Sequence, residues 1–244
     1  MAMPTEVEPA VLKRLLDLQT EDSEIRMLTE RKASLPEAQR LAEINAQLVE
    51  LNADIEIASK QNDEVTREQN RLEGEIELVE QKTAKEEQRM YSGGVSNPKE
   101  LSSLQAEVES LKRKKGTLED ELLEVMERRE QASATLQSLT EERDQAQAEA
   151  GDLTTRVEAL TTDIDQKVAT HSSARVEIAG SIPSEVLSLY DKLRDQKGGV
   201  GAAALEQGTC QGCHTKLPAK EVERVKSEGG LQRCDNCRRI LVVV

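Results

Sequence analysis

From Leu101 to Ile178 apolar residues return with an alternating three- and four-residue step. Leu101, Leu104, Val108, Leu111, Leu118, Leu122 and Val125 begin the series, and Leu153, Val157, Leu160, Ile164, Ala174 and Ile178 end it. This is the a/d pattern of a heptad, whose 3.5-residue period winds a helix left-handedly against a partner. No proline lies between Lys99 and Ile182, so nothing in the stretch forces the helix to stop. At 1.5 Å per residue it predicts a helix about 120 Å long. A single helix of that length cannot bury its own stripe. Leu41, Ile44, Leu48, Leu51, Ile55, Ala58, Val65, Leu72, Ile76 and Val79 repeat the same step earlier in the chain. Between the two series lies Ser92-Gly93-Gly94-Val95-Ser96-Asn97-Pro98, rich in turn formers, with Pro98 suited to a first helical turn. The pattern therefore predicts an antiparallel helical hairpin with its tip at 91–98. Two pairings of the arms, one heptad apart, both satisfy the turn.

Interruptions in the pattern refine this picture. Residues 1–9 carry no periodicity and read as loose. Val11, Leu15, Leu18, Ile25 and Leu28 begin the first arm in a frame offset from the later one, and Leu35-Pro36 falls where the frames change. Proline lacks the amide proton that a helix interior needs, so a break is expected there. Folding about the tip sets Gly151 of the second arm roughly opposite, which predicts an irregularity in both arms. Several seam positions are polar: Asn62, Gln69, Thr83 and Glu86 in one arm, Lys115, Arg129, Arg143, Lys167 and His171 in the other. Such residues cost stability and set register. At the tip, Asn97 is placed to cap the second helix. Tyr91, Asn97 and Lys99 form a candidate partner-binding knob there, against the simpler reading of a loop that only reverses the chain.

Beyond Gly180 the heptads end. Val186, Leu187, Tyr190 and Leu193 mark one face of a short helix that starts at Pro183 and stops at Lys197-Gly198-Gly199. Its expected role is to pack the base of the coil against the C-terminal residues, with Tyr190 in the core. The domains read as a hairpin over 1–180, a connecting helix over 181–199 and a C-terminal module over 200–244.

That module carries Cys210-Gln211-Gly212-Cys213 and Cys234-Asp235-Asn236-Cys237, a C-x2-C-x20-C-x2-C spacing. Each pair makes a tight turn that aims two sulfurs at one ion. Four thiolates complete a tetrahedron and leave no position for water, so one structural Zn2+ is expected on Cys210, Cys213, Cys234 and Cys237. A redox pair would need a C-x-x-C at a helix start beside a βαβ unit, and none is present. Val200–Leu205 and Arg239–Val244 read as strands and Pro218–Lys226 as a short helix or turn. The fold class is mainly α, a long coiled-coil hairpin followed by a small β zinc ribbon. His214 follows a ligand directly, but the shell is already full. The pattern places no second ligand beside His171.

Composition then excludes several classes. A third of the residues are charged, and there is no Phe or Trp from which to build a thick enzyme core. Met1–Ala10 lacks a basic region leading into an apolar core, and no apolar run reaches about 18 residues, so a cytoplasmic location without membrane attachment is expected. Charge is unevenly placed: from Cys210 onward there are seven Lys/Arg against four Asp/Glu, while the residues before it hold 26 against 43. Lys216, Arg233, Arg238 and Arg239, with Lys220, Arg224 and Lys226, can offset the double negative charge of a zinc tetrathiolate. They can equally contact nucleic acid, though the ribbon has no aromatic residue for base stacking. Paired catalytic carboxylates, a phosphate-cradling glycine loop and an open metal site are missing from the pattern, so no enzymatic activity and no small-molecule substrate are expected.

Taken together, the chain resembles the bacterial four-cysteine zinc-ribbon family with an N-terminal coiled-coil hairpin. The resemblance rests on Tyr91-Ser92-Gly93-Gly94 with Asn97-Pro98-Lys99-Glu100-Leu101 at the tip and on Ile182-Pro183 with Tyr190 at the base. The two cysteine knuckles, followed by Ile240-Leu241, complete it. It implies that the four cysteines ligate zinc and that the protein is an adaptor for a protein or RNA, or a regulator binding DNA or RNA directly. Members are similar to adaptors for an alternative sigma factor, a flagellar messenger RNA or secretion-apparatus proteins.

Overall fold

The computed structural model describes residues 7–93 and 97–244. Gly94, Val95 and Ser96, part of the predicted tip, lie outside the described residues. Helix α1 spans Pro9–Ala33, α2 Pro36–Tyr91, α3 Pro98–Gly180, α4 Ser184–Gln196 and α5 Ala219–Ser227. Strands β1 (Ala202–Glu206), β2 (Thr209–Cys210), β3 (Thr215–Lys216), β4 (Gln232–Arg233) and β5 (Ile240–Val243) form one sheet in the order β3-β2-β1-β5-β4. The β1–β5 pair is parallel and the other pairs are antiparallel.

The chain divides into two compact units: one comprises the segment ending at Gln39 together with Leu153–Val244, the other Arg40–Asp152. In the second unit α2 and α3 run antiparallel, since partners of rising number on one arm fall on the other. Arg40 meets Glu149, Glu68 meets Arg128, Glu80 meets Lys115 and Glu87 meets Lys112. Leu72 and Val79 bury against Leu111, Leu118 and Val125 at the predicted a/d positions. Polar seam residues choose between the two registers: Arg129 Nη1 donates to Gln69 Oε1 at 3.0 Å, and Lys115 reaches Glu80 at 2.5 Å. An apolar seam is indifferent to a slip of one heptad, whereas these pairs are not.

In the first unit α1 runs antiparallel to the last third of α3, with Lys32 on Asp165 at 2.6 Å and His171 Nδ1 meeting Glu21 Oε2 at 2.6 Å. The helix break at Pro36 is short. α1 ends on Ala33, the Ser34 hydroxyl donates back to the Glu30 carbonyl at 2.9 Å, and Pro36 opens α2 where no amide proton is required. Leu35, between them, buries against Leu28 and Ile164, which offsets the lost helical bonds. At Gly151 the second arm is not broken, and α3 is one helix from Pro98 to Gly180. Glycine costs a helix about 1 kcal/mol but keeps its amide proton, so it weakens the helix without ending it. Val7, within the stretch read as loose, is buried.

The sheet has two apolar faces, as the period of two requires. Ala202, Ile240 and Val242 face Leu15 and Leu18 of α1 and Val186, Tyr190 and Leu193 of α4. Ala203, Leu205 and Leu241 face the other way, toward Cys210, Cys234 and Val225 of α5. The helical base and the sheet therefore share the first core, and the sheet separates it from the second, around the cysteines.

Candidate metal centre and its mounting

The four cysteine sulfurs lie within 4.8 Å of one another, with Cys210–Cys237 at 3.9 Å and Cys213–Cys234 at 4.0 Å. A tetrahedral ion holding sulfurs at about 2.3 Å would set them about 3.8 Å apart, so the donor set fits zinc. The two knuckles are built alike. In the first, the amides of Cys213 and His214 point to the Cys210 carbonyl at 3.4 and 2.8 Å. In the second, the Arg238 amide donates to the Cys234 carbonyl at 2.8 Å. His214 and Arg238, each the residue after the second cysteine, take φ of 55° and 67°, a left-handed turn that aims both sulfurs inward.

Cys210 and Cys234 are buried, Cys213 and Cys237 partly exposed. Burial pushes the Cys210 thiol up to about 12 and raises Cys234 as well. Burial also acts to raise Cys213, but the Thr215 hydroxyl and backbone, with Asn236, outweigh it and bring that thiol down to about 6. A pocket that resists thiolates at two of four positions needs a cation to ionise them all. Asn236 Nδ2 approaches the Cys213 sulfur at 3.6 Å and donates to Thr215 Oγ1 at 2.9 Å, bracing the more exposed side. His214 is exposed and stands outside the sulfur cluster.

The predicted basic residues have unlike fates. Lys216 and Arg238 are exposed, Arg238 lying 3.8 Å from Asp235. Arg233 is half-buried on β4, and its Nε has no hydrogen-bond partner. Arg239 is turned inward: Nε donates to the Val200 carbonyl at 2.9 Å, Nη1 to Gly212 at 2.7 Å and Nη2 to Lys197 at 2.7 Å. It is a brace for the ribbon, not a displayed cation. At the tip Tyr91 is 80% exposed, Lys99 is exposed, and Asn97 Oδ1 accepts the Lys99 amide at 3.0 Å, the expected cap.

A second polar cluster gives no sign of itself in the sequence pattern. Asp22, whose side chain is 8% exposed, accepts from Arg175 Nε at 2.7 Å, Arg194 Nη1 at 3.0 Å and the Tyr190 hydroxyl at 2.7 Å. Burial works to raise its pKa, but the bonds from Arg175, Tyr190 and Arg194 outweigh burial and hold the carboxyl below its ordinary range. Burial, then Asp22, raises the Tyr190 phenol. Three residues before Asp22, Gln19 binds the linker that leads into the ribbon. Its Nε2 donates to the Gly199 carbonyl at 3.0 Å, and its Oε1 accepts the amides of Gly201 at 2.7 Å and Ala202 at 3.3 Å. Arg26 donates to the Gly198 carbonyl. The one visible signal is the glycine cluster itself. A β-carbon on Gly201 would lie 2.7 Å from the Tyr190 carbonyl, so only glycine lets the linker pass so close.

Comparison with known proteins agrees with this architecture. Residues 18–198 match the family described as the CT398-like coiled coil hairpin domain, and residues 209–241 match the C4-type zinc ribbon domain. An uncharacterized protein of Mycobacterium tuberculosis is 30% identical over 235 residues, 94% of each chain. A solved structure from Mycobacterium smegmatis superposes with a TM-score of 0.82 at 27% identity, covering 98% of this chain and 100% of that one. CT398 from Chlamydia trachomatis shares the fold, with a TM-score of 0.67 at 21% identity over 96% and 98% of the two chains. The four-sulfur centre is thus the site of one structural zinc.

Proposed function

The chain belongs to the CT398-like coiled-coil hairpin family, here followed by a C4-type zinc ribbon, and on that premise we propose that it is a non-enzymatic, cytoplasmic adaptor. It binds a macromolecule, protein or RNA, through the hairpin tip and the ribbon. The observation that carries this reading is the display of Tyr91, 80% exposed, at the end of α2, with Asn97 capping the start of α3. An aromatic side chain held in water on a helical scaffold is a binding anchor more readily than a structural element. The zinc centre supports it from the other side. Four thiolates fill the tetrahedron, so the metal orders the ribbon and leaves no position for a substrate. Among the described residues no helix is long and apolar enough to cross a membrane.

The test is capture of partners from the native cell with the full chain, compared with Tyr91→Ala and with a Lys216→Glu/Arg238→Glu double variant, followed by identification of bound protein and RNA. Loss of a specific partner in either variant supports the reading. Identical capture by all three chains refutes it.

A second reading, direct DNA or RNA binding by the ribbon, is favoured by exposed Lys216 and Arg238. It requires an affinity that falls steeply with salt. Absence of binding to mixed-sequence DNA and RNA at about 50 mM salt eliminates it.

A further inference from the structure

We infer that metal loading of the ribbon is coupled to the helical base of the hairpin, with Arg239 as the positioning residue that carries the coupling. Arg239 is two residues past the second knuckle, yet its Nη1 binds the carbonyl of Gly212, inside the first knuckle. The two knuckles are far apart in sequence; β1 pairs with both β2 and β5 and so brings them together, and the ion crosslinks their sulfurs. The same guanidinium holds the carbonyls of Lys197 and Val200, on either side of Gly198-Gly199 in the glycine linker. The fit is close, since a β-carbon on Gly212 would lie 2.8 Å from Arg239 Cδ. From the linker the contacts continue into α1 through Gln19, which binds Gly199, Gly201 and Ala202. Gln19 Oε1 lies 3.3 Å from the Tyr190 hydroxyl, which donates to Asp22, and Asp22 holds Arg175 of α3.

Each link is a hydrogen bond between groups from different elements, and the first exists only while both knuckles face each other. Release of the ion frees Gly212 from Arg239. The linker then loses one side of its clamp, and the base opens more often. Coupling is reciprocal, so an intact base also tightens metal binding. This inference rests on the zinc centre and not on any partner, so it stands or falls separately from the adaptor reading.

Hydrogen exchange of the full chain, zinc-loaded and after chelation, measures it. Peptides covering 197–202 and 15–26 are expected to exchange about tenfold faster without zinc, within the usual span of coupling between sites. Peptides from 72–125, whose hydrophobic cluster belongs to the other unit, are expected to be unchanged. In Arg239→Gln, zinc still binds, as competition with a chromophoric chelator reports, but about tenfold more weakly, and the difference at 15–26 disappears. Gln19→Met serves as a second variant should Arg239→Gln fail to fold: it keeps the zinc effect at 197–202 and loses it at 15–26. Wild-type exchange at 15–26 that ignores zinc overturns the inference. So does an undiminished zinc effect there in Arg239→Gln or in Gln19→Met.

Discussion

Replacing Asp22 with asparagine should loosen the base of the hairpin by about 2–3 kcal/mol, a figure scaled down from the usual cost of breaking a buried ion pair. The carboxylate is almost completely buried and serves two guanidinium groups whose side chains are 24% and 25% exposed. Breaking a fully buried pair by neutralising one partner costs about 3–5 kcal/mol. Two features lower that figure here. The arginines keep some contact with water, and Asp191 already sits 2.9 Å from Arg175 and 3.3 Å from Arg194 as a second acceptor. The asparagine oxygen can still accept from Tyr190, so the loss is chiefly one of charge. The chain has two tyrosines and no tryptophan, and Tyr190 is buried in this cluster. In a Tyr91→Phe background its fluorescence reports the base alone, and urea titration of the zinc-loaded chain reads the difference. The sign with pH is also set. Because the folded-state pKa of Asp22 lies below its unfolded value, the contribution is full above about pH 4 and is lost as pH falls through the depressed folded value. The Asp22→Asn variant should lack that acid-dependent component. A shift below about 0.5 kcal/mol, or an unchanged acid limb, would refute the reasoning.

Other outcomes are expected from the same geometry. Cys234→Ser should reduce bound zinc, measured by elemental analysis, from one ion per chain to well below one, with loss of amide protection across β2, β3 and β4. Arg238→Val should destabilise the ribbon by about 1–2 kcal/mol, because a β-branched residue resists the left-handed turn, while Arg238→Gly should be nearly neutral; equal effects in a chelator titration would exclude the strain argument. Gly74 and Gly116 are helical, and an added β-carbon meets nothing within 4 Å of either. Alanine at each should therefore stabilise the hairpin by about 0.5–1 kcal/mol in thermal unfolding followed by circular dichroism.

How far the sequence reaches depends on how locally each feature is caused. Heptads, the break at Pro36, the Asn97 cap and the cysteine spacing are each caused by neighbours within a few residues, so each could be read before folding. The zinc ligands are legible for the same reason, since the metal imposes a short spacing on each knuckle. Gly151 shows the limit of such reading: a helix-weakening residue is visible, but continuity of the helix depends on the amide proton that glycine retains. Arg239 shows another. Its charge suggested a displayed contact, while its position beside the knuckle turned it onto three carbonyls.

Local pattern by itself therefore determined two helical arms, a turn between them and a four-sulfur metal knot. Tertiary structure alone decided the register of the arms, through Gln69 with Arg129 and Glu80 with Lys115. It also decided that Asp22, Gln19 and Arg239 would gather around the glycine linker. The reason is physical. Periodicity and chelation act over a few bonds and leave a repeating trace in the chain. Asp22 finds Arg175 at a separation of 153 residues and Arg239 finds its three carbonyls at separations of 27 to 42, and nothing near either in sequence says which partners they take.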